Sequence, residues 1–127
     1  MNNEILTKMV EPLKSNRWIL KTNPIEINEF LFRRYRLFND GEKIILETEF
    51  FETVFDVYNP MDLLEITDLT LLYLDPIGEV ISGFKMIVKG INFEKDHSYS
   101  SDDLLITKLR FVIEYVELIK EYKNTEK

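Results

Sequence analysis

The chain contains no cysteine and a single histidine, His97. Disulfide scaffolds, thiolate metal centres and cysteine nucleophiles are therefore excluded, and a histidine-based metal centre has no second imidazole. Glycine and proline number four each, too few for a fibrous or low-complexity chain. Gly78, Gly83 and Gly90 stand too far apart to form a phosphate-cradling loop or a dinucleotide fingerprint. No apolar run approaches the roughly 18 residues of a membrane helix. Met1-Asn2-Asn3-Glu4 lacks the basic and apolar regions of a secretory signal, so a protein made and assembled from an intracellular pool is expected.

Positive charge is also scarce. Sixteen basic residues face 23 acidic ones, a net charge of −7, which disfavours nucleic-acid binding through phosphate contacts. The imbalance is local. Eleven acids and one base, Lys43, lie between Asp40 and Glu79, giving that segment −10; the remainder, with fifteen bases and twelve acids, carries +3. Such a distribution suits either a solvated acidic face or head-to-tail self-association.

What is present is enough for one domain. The 127 residues, 45% hydrophobic and 13% aromatic, can build one core but not two. Ile5, Leu6, Met9, Val10 and Leu13 follow helical spacing, so residues 1–14 read as a helical arm. Arg17 to Thr22 reads as a short strand stopped by Asn23-Pro24, and Ile25 to Glu29 as a second. Asp40-Gly41 between two apolar runs signals a hairpin joining Phe30–Phe38 to Lys43–Val54. A helical turn fits Met61 to Leu64, and a buried strand fits Leu69 to Leu74. Asp75-Pro76-Ile77-Gly78 reads as a turn leading into a strand from Glu79 to Lys89, with Gly83 placed for a bulge. Leu105, Leu109, Val112, Val116 and Ile119 form a helical stripe, yet Leu105, Thr107, Leu109, Phe111, Ile113 and Tyr115 alternate as in a strand. Periodicity alone leaves that segment undecided. A frayed tail, 120–127, closes the chain.

Catalytic signals are weak. Asp96, His97, Ser98 and Ser100 are close in sequence, but adjacent strand residues point to opposite faces and build no triad. Asp96, Ser98, Ser100 and Asp102 alternate without the glycine and terminal glutamate of a calcium loop. No catalytic, cofactor or metal site is expected, and the chain reads as a binding or architectural protein rather than an enzyme. Arg33, Arg34 and Arg36, interleaved with Tyr35 and near Phe32, form a basic cluster that suits stacking on nucleic-acid bases, pairing with the acidic block of a neighbouring subunit, or a solvated strand face, the last being the leading reading.

The stretch from Leu71 to Leu118 resembles the C-terminal part of the tail tube proteins of contractile-tailed bacteriophages. The resemblance is carried by Asp75-Pro76-Ile77-Gly78-Glu79-Val80-Ile81, by Phe84 to Ile91 with its Lys89-Gly90, by Tyr99-Ser100-Ser101-Asp102-Asp103, and by Leu104 to Val116 as a final long strand. The fold is shared by the hemolysin-coregulated tube of type VI secretion, by tail terminators and by tube initiators. The resemblance implies a mainly β domain with minor α, two packed antiparallel sheets forming a partly closed barrel or sandwich. It further implies rings, hexameric in the family, stacked into a virion tail assembled in the host cytoplasm. Partners would be further copies of the chain and sheath, baseplate or terminator proteins, with transient, non-specific passage of DNA. Glu47, Glu49 and Glu52 are then lumen candidates, Phe38, Asp40, Gly41 and Lys43 contacts to the next ring, and Arg33, Arg34 and Arg36 the ring seam. The other reading is a small acidic module of immunity or inhibitor type that binds a basic partner protein.

Overall fold

A computed structural model describes residues 17–53, 57–96 and 105–120. The expected N-terminal arm, residues 121–127 of the expected tail and the segment around His97 lie outside them, while Lys120, expected in that tail, ends the last strand. Six strands form one antiparallel sheet: β1 (Trp18–Asn23), β2 (Phe32–Asp40), β3 (Lys43–Phe51), β4 (Asp68–Leu74), β5 (Val80–Asp96) and β6 (Ile106–Lys120), in the order β1-β4-β5-β6-β3-β2. A single 3-10 turn, Glu29–Leu31, and a four-residue helix, α1 (Pro60–Leu63), are the helical elements among the described residues.

The long strands β5 and β6 give the sheet its shape. Val80 to Ile87 pair with β4, whereas the far half of β6, Ile106 to Ile113, pairs with β3. The register of β5 against β6 shifts between Ile87 and Gly90. Bulges of this kind bend a strand and increase its twist. The result is one sheet with two functional halves, β1-β4-β5-β6 and β2-β3-β6-β5, rather than the two separate sheets expected. The edge strands β1 and β2 share no hydrogen-bonded ladder, so no barrel is closed. Side chains bridge the gap: Trp18 of β1 packs edge-on against Tyr35 of β2 with centroids 4.7 Å apart, and the hydroxyls of Tyr35 and of Tyr73 on the adjoining β4 lie 2.8 Å apart. Burial, and then that hydrogen bond, push the Tyr35 phenol well above its ordinary pKa.

Both halves bury one face into a common core. Leu20, Leu69, Leu71 and Met86 come from the first half and Leu46, Phe50, Leu109 and Phe111 from the second, all at 0–1% exposure. Leu63 and Ile66 close one end from α1 and the residues after it. Asn59 starts that helix by accepting the Met61 N–H, with Pro60 at the first helical position.

The hairpin at Asp40-Gly41 forms as expected, with Asp40 opposite Lys43 and Gly41 at φ 68°. The 75–78 turn forms too: Asp75 O accepts the Gly78 N–H, and its carboxylate accepts the N–H groups of Ile77 and Glu79. Two expectations fail locally. Ile25 to Glu29 is not a strand, because Thr22 Oγ1 donates to Ile25 O and accepts from Ile27 N, folding the segment into a loop that buries Ile27. Gly83 is not a bulge. A Cβ there would lie 2.2 Å from Leu71 O, so glycine permits close approach of β5 to β4.

Candidate interaction face

The outer face of β2-β3-β6-β5 carries a ladder of alternating charge. Cross-strand partners in an antiparallel sheet lie close enough for opposite charges to pair. In one row Arg34 is opposite Glu49, Glu49 opposite Lys108, and Lys108 opposite Glu94. In the next, Arg36 is opposite Glu47, Glu47 opposite Arg110, and Arg110 opposite Asn92. Arg110 Nη1 reaches Glu47 Oε2 at 2.6 Å and its Nη2 reaches Asp40 at 3.5 Å. Arg36 lies 3.6 Å from Glu47, and Arg33 and Arg34 lie 3.5 and 4.0 Å from Glu49. The ring of Phe38 lies beneath the guanidinium of Arg36, 4.2 Å from its centroid. The outer-facing Ile45, opposite Phe38 on β2, is only 2% exposed.

The structure therefore brings most of the sequence-derived candidates together, with a different charge balance. Glu47 and Glu49 share a face with Arg34 and Arg36 and are paired with them. The face also gains Lys108 and Arg110 from a strand some 60 residues away, and with the arginines of β2 they stand against Asp40, Glu47, Glu49 and Glu94. Composition counted over Asp40–Glu79 could not reveal this compensation. Asp40, Gly41 and Lys43 form the exposed hairpin tip beside it.

Glu52 departs from the expectation. It lies past the end of β3 with even parity, on the side of Thr48 and Phe50, and its side chain is 1% exposed. Lys95 Nζ donates to both carboxylate oxygens at 2.7 Å, Thr107 Oγ1 donates at 2.9 Å, and Tyr58 N–H donates at 3.0 Å. Burial by itself would raise the carboxyl pKa. The hydrogen bonds and the Lys95 charge outweigh it, and the pKa lies below its ordinary value. This buried clasp joins the end of β3 to β5 and β6 and presents no charge to an open face. Counting parity from Glu47 and Glu49 would have assigned Glu52 to the other side.

Among the described residues no cluster of three or more acidic or histidine side chains could hold a metal ion, and none of their helices is long and apolar enough to cross a membrane.

No family model and no curated protein sequence matches the chain. Solved structures do. A chain of the PVC sheath-tube complex, an extracellular contractile injection system in its extended state, superposes with a TM-score of 0.60 at 10% identity, covering 94% of this chain and 99% of that one. A chain of the PVC sheath/tube terminator gives 0.59 at 12% identity, covering 86% and 98%. A chain of the anti-feeding prophage tube-terminating cap gives 0.58 at 10% identity, covering 86% and 91%. The chain thus has the tube-type fold of contractile injection systems over nearly its whole described length, as the tail-tube resemblance implied.

Proposed function

We propose that the protein is a structural subunit of a contractile tail or injection tube, or of a ring at the tube's end. In this reading copies assemble into rings, hexameric as in the tail tube family, that stack head-to-tail and enclose a channel. The observation that carries it is the near-complete two-way coverage between this chain and the tube and terminator chains. A shared fold does not by itself fix a function. Here, however, the absence of catalytic signals in the sequence and the large, ordered, charge-compensated sheet face both favour an architectural role.

The face of β2-β3-β6-β5, with Glu47 and Glu49, lines the channel in this reading. Its carboxylates are answered by arginines, so the wall offers a passing polyanion neither a strong positive trap nor a strongly repulsive surface. The hairpin tip, from Phe38 to Lys43, reaches the next ring. Partners are further copies together with sheath, baseplate or terminator proteins. The competing reading, an acidic inhibitor-like module, draws less support because Glu47, Glu49 and Glu52 are all paired within the subunit.

Negative-stain electron microscopy of the concentrated protein, with its solution mass measured alongside, tests the proposal. Hollow rings or tubes are expected. A persistent monomer with high affinity for an unrelated protein would overturn it.

A further inference from the structure

The outer face of β1-β4-β5-β6 carries apolar side chains where the ladder face carries paired charges. Ile19, Leu72 and Ile119 stand in one row across it, with Gly83 between Leu72 and Ile119. Four residues further along β5 and back along β6, Ile87 stands opposite Tyr115. Ile81, Ile87 and Tyr115 are 38%, 39% and 58% exposed. Between the two rows Lys85 is opposite Glu117, and a lysine stem is itself apolar along its methylenes.

We infer that residues 4–11 form an amphipathic helix that lays Ile5, Leu6, Met9 and Val10 on this face of the same subunit. Four arguments support it. First, the stripe needs a surface. A helix this short is marginal alone in water, and a helical apolar stripe is stabilised by burial against another layer. Asn3 is placed to cap it, Glu4 suits its first turn, and Pro12 stops it. Second, the chain starts in the right place. Arg17 O accepts the Leu74 N–H, so the backbone enters β1 at the end of the face where Ile81 and Ile119 stand. Third, the lengths agree. Eight helical residues span about 12 Å, and the two apolar rows, four strand residues apart, are separated by about 13 Å. Residues 12–16 reach up to about 17 Å when extended, enough to climb the roughly 10 Å between packed layers. Fourth, the short tether favours the arm's own subunit, because it holds the arm at a local concentration of about millimolar that a second copy does not reach in dilute solution. The arm concerns the single subunit and is independent of the ring reading above.

Hydrogen–deuterium exchange and disulfide trapping test the arm, both on the full chain at a dilution where its solution mass is that of one subunit. Amides of residues 7–11 should exchange about tenfold or more slowly than in an unstructured peptide. Leu6→Glu with Val10→Glu should abolish that protection. The amides of β4, β5 and β6 should keep theirs, which establishes that the subunit remains folded. The chain has no native cysteine, so Ile5→Cys with Tyr115→Cys should close a disulfide within one chain, with no dimer on a non-reducing gel. Ile5→Cys with Asn92→Cys, on the exposed ladder face, controls for the reach of the tether and should close about tenfold more slowly or more. Unprotected arm amides, equal closure of the two cysteine pairs, or disulfides formed only between chains would each overturn the docking. None of these outcomes touches the ring reading, which stands or falls on assembly at high concentration.

Discussion

The two halves of the sheet share β5 and β6 but use their outer faces differently. Behind β2, β3, β6 and β5 lies a ladder of paired charges beside a buried Ile45. Behind β1, β4, β5 and β6, apolar residues appear instead: Ile81, Ile87 and Tyr115 are partly or mostly exposed, while Leu72 is buried at 4%. Leu72 is opposite Gly83, and a Cβ at Gly83 would meet the Leu72 side chain at 3.0 Å. One face is organised by cross-strand electrostatics, which salt and pH can tune. The other combines apolar side chains and the close approach at Gly83 with the exposed cross-strand pair Lys85 and Glu117.

The largest effect is expected where both halves are broken at once. Phe111 is fully buried on the shared strand β6, and Phe111→Ala should cost about 3–5 kcal/mol in chemical denaturation. Lys95→Met comes next, because it strips the cation from buried Glu52; a loss of about 3 kcal/mol is expected. Its pH profile sharpens the comparison. In the wild type the folded Glu52 pKa lies below the unfolded value of 4.5. Its stabilising contribution is therefore complete above about that pH and fades as acid takes the pH down through the lowered folded value. In Lys95→Met burial is opposed only by the Tyr58 and Thr107 hydrogen bonds, so the folded pKa rises and the stability that Glu52 loses in acid should shrink. Urea unfolding of both proteins from neutral to acid pH would show a shallower acid loss in the variant; parallel profiles would remove the clasp from the account.

Gly83→Ala tests the packed half. The added methyl meets Leu71 O, a backbone atom, and about 1–3 kcal/mol should be lost through overpacking, insensitive to salt. Arg110→Ala tests the charged half with the smallest expected effect, about 1 kcal/mol or less, since its side chain is 41% exposed. That loss should shrink further at high salt. A salt-insensitive Arg110 effect, or a salt-dependent Gly83 effect, would erase the distinction between the faces.

Much of the architecture was legible locally. Asp40-Gly41 and Asp75-Pro76-Ile77-Gly78 carry their own turn chemistry, and the β1 and β4 strands follow from short apolar runs bounded by turn signals. Phe30–Phe38 was legible as a hairpin strand, but not which way its side chains face, because the register shifts between Phe32 and Arg34. Phe32 and Tyr35, three residues apart, consequently both pack toward the core, which a strict period of two forbids. The candidate face was half legible. Glu47, Glu49, Arg34 and Arg36 were identified by type, but their pairing partners on β6 were not.

The sequence by itself determined what is missing and where the chain turns: no thiol or histidine-cluster chemistry, hairpins punctuated by the Asp40-Gly41 and Asp75-Pro76-Ile77-Gly78 turns, and acids concentrated between Asp40 and Glu79. Tertiary structure alone decided two further matters. It made Ile106–Lys120 a strand, because β5 pairs along it and β3 pairs with its first part, Ile106 to Ile113, where side-chain periodicity fitted helix and strand equally. It also turned an acidic segment into a compensated ladder, because charge balance on a sheet is set by neighbours across strands, and those neighbours lie some 60 residues away in the chain.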